Sequence, residues 1–221
     1  DLDYSDDVQK IREGKMNPEP PLIRANVGDC IEMTLKNELP QPVSNHIHFV
    51  SYDPLGSDST EVGYNYDCGV ENGEQLTYRW FADEEGTIFW HDHMVGIKFQ
   101  MHGTFGALIV EPEGSEWFDP YSGKPMAVGA QAMIVPRDQP AFREQGVIYH
   151  DFAPLKDRDG NLVTENIQHN VNAGVMAINM RNSPYYHRDD ADAAYVFSSA
   201  RHGDPETPVL EAYEGDPIRY R

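Results

Sequence analysis

Asn45-His46-Ile47-His48-Phe49 and Phe89-Trp90-His91-Asp92-His93 are the two stretches whose reading decides this chain. Each holds two histidines at period two, the spacing that puts both imidazoles on one face of a β-strand. Same-face neighbours on a strand lie roughly 6.5 to 7 Å apart. Two such rings can grip one metal ion or serve two ions a few ångströms apart. Four imidazole nitrogens suit copper or zinc better than calcium or magnesium. The competing reading is two unrelated structural pairs. Against it, four histidines inside apolar and aromatic runs need a hydrogen-bonding reason to be there.

Working outward, short runs of β-branched and aromatic residues alternate with turn residues, which predicts an all-β sandwich. The expected strands of a first domain are Pro21 to Asn26, Cys30 to Leu35, Val43 to Val50, Gln75 to Phe81, Thr87 to His91 and Thr104 to Val110. Thr77 to Phe81 and Phe105 to Val110 alternate well enough to bury one face. Asp53 to Gly73, rich in Gly, Asp, Ser and Asn, reads as an irregular excursion. Glu111 to Pro125 reads as a connector, so one domain is expected over 1–113 and a second over 114–221. Ala130 to Val135, Gly146 to Phe152, Val175 to Asn179 and Ala194 to Phe197 are the expected strands of the second.

The formal net charge is −20 over 221 residues. That disfavours nucleic acid and anionic membrane surfaces as partners. It leaves solubility at high salt, a solvated surface or attraction of cationic substrates open. No apolar run approaches the 18 residues or so of a membrane span. Of the two cysteines, Cys30 and Cys68, neither adjoins a histidine, and their spacing fits neither zinc ribbons nor thioredoxin-like motifs. They could pair or stay free.

An internal echo links Val27-Gly28-Asp29-Cys30-Ile31 with Glu214-Gly215-Asp216-Pro217-Ile218. The first copy runs into a full strand and the second stops at Arg221, so the chain is expected to be a segment of a larger protein or assembly. Among the other histidines, His150 beside Asp151 reads as a strand-end pair, and His169, His187 and His202 fall in polar stretches. Met94, Met101 and Met176 read as core residues.

Asn26 to Pro112 resembles the first cupredoxin domain of multicopper oxidases, the family of laccases, ceruloplasmin and bacterial manganese oxidases. Val27-Gly28-Asp29, the His46 and His48 pair, Trp90-His91-Asp92-His93 and the run His102-Gly103-Thr104-Phe105-Gly106-Ala107-Leu108-Ile109-Val110-Glu111-Pro112 carry the likeness. Residues 130–221 resemble the opening part of a second cupredoxin domain, more weakly. The implied fold is a cupredoxin-like Greek-key β-sandwich, the first domain complete and the second incomplete.

The resemblance implies half the ligands of a trinuclear copper cluster. His46 would bind the type 2 copper, and His48, His91 and His93 the type 3 coppers. The type 1 copper and the remaining ligands would come from a His-Cys-His motif, on a later segment or a partner chain. The implied activity is one-electron oxidation of a phenol or a low-valent metal ion such as Mn(II) or Fe(II), coupled to reduction of O2 to water. The implied setting is extracellular, periplasmic or cell-surface. Asp92 should face away from its histidine neighbours and act as an outer hydrogen-bond acceptor. His102 stands where plant and fungal laccases carry an acid, and could relay protons or be a structural core histidine. Two alternatives are a copper-binding cupredoxin module without turnover and a copper nitrite reductase, which would need a cysteine beside a histidine ligand.

Overall fold

Leu22–Asn26 (β1) opens a sandwich whose strands are dictated by alternation. In Cys30–Lys36 (β2) and Gln75–Phe81 (β5), exposed and covered residues alternate strictly, as a sheet with one wet face requires. Ile31, Met33, Leu35, Leu76, Tyr78 and Trp80 therefore point inward. His46–Ile47 (β3), Gly86–His91 (β6) and Phe105–Glu111 (β7) join β1 in one sheet of order β1-β7-β6-β3; Ser51–Tyr52 (β4) completes the other, β2-β5-β4. The two sheets close on one core in which Tyr78 and Trp80 meet Ile47, Ile88, Trp90, Leu108 and Val110. β1 runs parallel to β7, while β6 pairs antiparallel with both β7 and β3. This is a cupredoxin-like all-β sandwich, as expected. The computed structural model describes residues 5–60, 68–151, 153, 176–183, 188 and 192–221.

Contacts divide the chain into two units, Pro21–Val147 with Leu210–Arg221, and Asp1–Pro20 with Ile148–Val209. The first holds the sandwich and a second sheet built from Glu116–Phe118 (β8), Gln131–Val135 (β9), Phe142–Gln145 (β10) and Ile218–Tyr220 (β13), in the order β13-β10-β9-β8. Residue 113, the expected boundary, falls within this unit. The second unit holds the helix Ser5–Arg12 (α1), the hairpin of Tyr149–Asp151 (β11) with Met176–Ile178 (β12), and the helix Ser199–His202 (α3).

Three expected strands come out differently. Val43 to Val50 is broken: Val43 makes an isolated bridge to Val70, β3 holds two residues, and β4 lies in the opposite sheet. Phe49 marks the break, with φ of 50° and 89% exposure. That left-handed turn carries the chain from one sheet to the other. An aromatic residue is strained there by about 1–3 kcal/mol. Phe49→Gly is therefore expected to raise the thermal midpoint, and an unchanged or lower midpoint in calorimetry would contradict the strain. Of Gly146 to Phe152 only Tyr149–Asp151 (β11) forms a strand, and Gly146 follows the end of β10 at Gln145, where a Cβ would come within 2.1 Å of Leu22; Phe152 lies outside the described residues. Ala194 to Phe197 starts instead in a 3₁₀ turn at Ala193–Tyr195, where the Asp192 carboxylate accepts the Ala194 N–H.

The internal echo is structural as well as sequential. Asn26 N–H donates to Asp29 Oδ2 at 2.8 Å, and Asp29 N–H returns to the Asn26 carbonyl at 3.0 Å, around Gly28 at φ 92°. Tyr213, Asp216 and Gly215 repeat the pattern at 3.0 Å, 3.0 Å and φ 91°. Only β2 follows at length from this turn; its second copy leads into β13, which pairs parallel with β10.

Candidate metal centre

Along β6, Ile88 and Trp90 fill the core, so alternation turns Phe89 and His91 to the outer face of the sheet. β3 aligns His46 directly opposite His91 and Ile47 opposite Trp90. The ladder continues one step further, with His48 N–H donating to the Phe89 carbonyl at 3.1 Å. Two period-two pairs are thereby laid side by side. One ligand nitrogen each from His46, His48 and His91 lies within 4.8 Å of the others.

The four rings form one group. Centroids of His46, His48 and His91 are 5.0 to 5.5 Å apart, and His93 stands 5.1 Å from His46 and 5.7 Å from His91. His48 Nε2 and His91 Nε2 approach to 3.0 Å. Two nitrogens each about 2.0–2.1 Å from a shared ion sit about 3 Å apart when the angle between them is near a right angle. His91 is buried, His46 and His48 half-buried and His93 exposed. His93 stands outside the tight group of three ligand atoms, though its ring belongs to the cluster.

Hydrogen bonds at the other ring nitrogen orient the imidazoles. His46 Nδ1 meets the Asp58 carbonyl at 2.5 Å, and His91 Nδ1 meets the Asp92 carbonyl at 2.8 Å. With the Asp58 carbonyl as acceptor the His46 proton sits on Nδ1 and its Nε2 lone pair is left for a metal, while His91 Nδ1 faces both the Asp92 carbonyl and the Gln100 amide nitrogen. Burial, then the neighbouring His46 and His93 rings, hold the His48 pKa below its ordinary value. Burial also lowers that of His91; the Asp92 carbonyl opposes this, and the three other imidazoles reinforce it. Both rings are thus biased to the neutral form that binds metal.

Further residues support the group. The Asp58 carboxylate accepts from Tyr52 Oη at 2.7 Å and from the Thr60 hydroxyl, and lies 3.7 Å from His46 Nδ1. Burial, then the hydrogen bond to Asp58, push the Tyr52 phenol up to about 12. The amide of Gln100, on the helix Ile97–Met101 (α2), lies 2.7 Å from His91 Nδ1. The rings of Phe49 and Phe89 flank His48 at 5.9 and 6.0 Å. Tyr52, Asp58 and Gln100 were not singled out from sequence. Asp58 sits in the polar excursion after the first pair, Tyr52 in the two-residue β4 just before it, and Gln100 on a short helix without a strong periodic signal.

Asp92 is 1% exposed and its carboxylate accepts main-chain N–H groups rather than an imidazole. His102 is exposed at the C-terminus of α2, its Nδ1 donating to the Lys98 carbonyl at 2.7 Å. The reading of His102 as a core histidine is therefore wrong: a helix end exposes the ring, and a local carbonyl satisfies it. Cys30 is exposed and Cys68 buried, and no disulfide joins them. His150 lies half-buried in β11 and His202 at the end of α3; His169 and His187 lie outside the described residues. Met176, expected in a core, is 45% exposed because its neighbour Ala177 takes the inward position of β12.

An all-nitrogen, convergent donor set is one that copper accepts well. The sequence model of a family described as multicopper oxidase matches residues 13–115. An L-ascorbate oxidase of Cucumis sativus is 35% identical over 95 residues, 42% of this chain and 15% of that protein. Laccase-8 of Oryza sativa subsp. japonica is 28% identical over 114 residues, 49% of this chain and 20% of that protein. The chain thus spans a fifth or less of the length of these relatives. Among solved structures, a multicopper oxidase crystal structure covers 76% of this chain and 46% of its own at 19% identity and TM-score 0.47. A metallo-oxidase from Campylobacter jejuni covers 42% and 20% at 24% identity and TM-score 0.37. Residues 13–115, which contain both histidine pairs, are thus similar to the multicopper oxidase family.

Proposed function

We propose that this chain supplies half the ligands of a copper cluster in an oxidase that couples one-electron oxidation of a substrate to reduction of O2 to water. The convergence of His46, His48 and His91, with His93 beside them, carries the reading. His46 is assigned to a type 2 copper, and His48, His91 and His93 to a type 3 pair. Copper bound there would supply the one-electron steps that the four-electron reduction of dioxygen requires. The protein's part is to hold the imidazoles side by side, with the Asp58 carbonyl fixing which His46 nitrogen faces the metal. Strands place such donors more rigidly than loops do.

The electron-accepting type 1 copper and the remaining histidines are assigned to a later segment or a partner chain. Among the described residues, neither cysteine joins the histidine group, which also weighs against the nitrite reductase reading. The reducing substrate is a phenol or a low-valent metal ion such as Mn(II), and the setting extracellular, periplasmic or cell-surface. No described helix is long and apolar enough to cross a membrane.

A binding module without turnover is the competing reading, because this chain brings imidazoles and no thiolate to the site. The test is to load the chain with copper, add the segment bearing the His-Cys-His ligands, and follow oxygen uptake with a phenol or Mn(II) as donor. Uptake that yields water and no free peroxide supports the oxidase. Stoichiometric copper with no uptake favours the module.

A further inference from the structure

The two His-X-His segments must be held at one spacing before any metal arrives, and the β3–β6 pairing alone is only two residues long. A second connection does this work. Asp92 Oδ1 accepts the N–H of Ser44 at 2.9 Å, two residues before His46. Asp92 Oδ2 accepts the N–H groups of Val95 and Gly96 at 3.0 and 3.1 Å, closing the turn after His93. Ser44 answers from the other side: its hydroxyl accepts the His93 N–H at 3.1 Å and donates to the Ser59 carbonyl at 3.0 Å. Ser59 follows Asp58, whose carbonyl receives His46 Nδ1.

We propose that Asp92 and Ser44 are positioning residues, a polar staple that presets the distance between the two histidine pairs and the loop that orients His46. The inference rests on the copper reading above and deepens it. Asp92 is 1% and Ser44 3% exposed, so water does not compete for these bonds. Strand alternation explains why the residue between His91 and His93 can serve. It faces away from the metal side while its neighbours face toward it. A carboxylate is needed because both of its oxygens accept from main-chain N–H groups. An amide would turn a donor against one of them.

The test compares the parent chain with Asp92→Asn and Ser44→Ala, each metal-free and loaded with Cu(II). In the metal-free proteins, the amides of Ser44, Val95 and Gly96 in Asp92→Asn, and of His93 in Ser44→Ala, are expected to exchange at least about tenfold faster, with Leu108 in the core unchanged. With copper, affinity measured by chelator competition is expected to fall about 10- to 100-fold, the range seen when outer partners of metal ligands are removed. The Cu(II) EPR spectrum is expected to split into more than one species. Folded variants with parental exchange and a parental spectrum overturn the staple. If Asp92→Asn does not fold, Ser44→Ala decides by the same two readouts. If the parent takes up no copper, the copper reading fails, and the metal-free exchange arm still decides the staple.

Discussion

Replacing His91 by alanine is expected to lower Cu(II) affinity by at least about 100-fold, beyond what loss of an outer partner alone costs. His91 is the hub of the group: its Nε2 lies 3.0 Å from that of His48, and it sits in register with His46. It is also the most buried of the four rings, at 7% exposure, so water cannot take over its place without reorganising the site. The alanine leaves the Asp92 carbonyl and the Gln100 amide without their ring partner, so some stability is lost too. The sandwich core is untouched, because Ile88 and Trp90 carry the packing from the same strand. His102→Ala is the control. Its ring is exposed and bonded to Lys98, and its removal should leave copper affinity within about twofold. Copper stoichiometry and chelator competition on both variants check this. Equal losses at His91 and His102, or no loss at His91, would count against the metal centre.

Most of the sandwich was legible because its strands obey one rule each. Gln75–Phe81 alternates without exception, and six of the seven residues of Phe105–Glu111 are apolar or glycine, as a strand covered on both faces demands. Gly106 is forced by the same packing: a Cβ there would fall 2.2 Å from the Trp90 ring and 2.4 Å from the Pro21 carbonyl. What sequence could not show are features set by single backbone torsions or by distant partners. Phe49 breaks an apparently continuous strand through one left-handed residue, which no periodicity signals. Ala193–Tyr195 instead turns helical behind the Asp192 cap, a state its two alanines also favour over strand.

The candidate site divides the same way. His46, His48, His91 and His93 were legible because their spacing is local, and strand geometry turns spacing into a shared face. The partners of their supporting residues were not, because Ser44 and Asp92 act through bonds to main-chain groups of other segments, and Asp58 through its own carbonyl on the His46 ring. No local pattern encodes such a partner. Asp92 was expected as an outer acceptor on the far strand face, and it does accept there. Its donors, however, are amides of the Ser44 segment and of the turn after His93.

Arg24→Met is expected to destabilise the fold by about 3–5 kcal/mol, the usual cost of stripping one partner from a buried ion pair. Arg24 in β1 and Glu144 in β10 pair with both side chains fully buried, and Arg24 Nη2 also donates to the Gly129 carbonyl at 2.9 Å. Around them, Arg221 donates to Glu111 at 2.6 Å and to Glu144 at 3.2 Å, and Arg219 reaches Glu111 at 3.4 Å. The cluster therefore ties the sandwich strands β1 and β7 to β10 and β13 of the second sheet. Met keeps much of the volume of Arg24 but leaves Glu144 with Arg221 alone. The double variant Arg24→Met with Glu144→Gln should recover part of the loss, since no unpaired charge then remains buried. Burial, with the hydrogen bond to Glu144, pushes Glu111 up to about 7. Burial acts upward on Glu144 too, but Arg24 and the surrounding hydrogen bonds outweigh it and leave its pKa lowered. The signs are opposite. The contribution of Glu111 is complete below its unfolded value of 4.5 and lost as pH rises through about 7. That of Glu144 is present above the same unfolded value and lost as pH falls below it. Urea midpoints of the parent should then decline between pH 5 and pH 8 as Glu111 ionises, and Glu111→Gln should flatten that decline. A parent whose midpoint rises steadily across that window, or a Glu111→Gln variant with an unchanged slope, would show that burial does not hold the Glu111 proton in the folded protein.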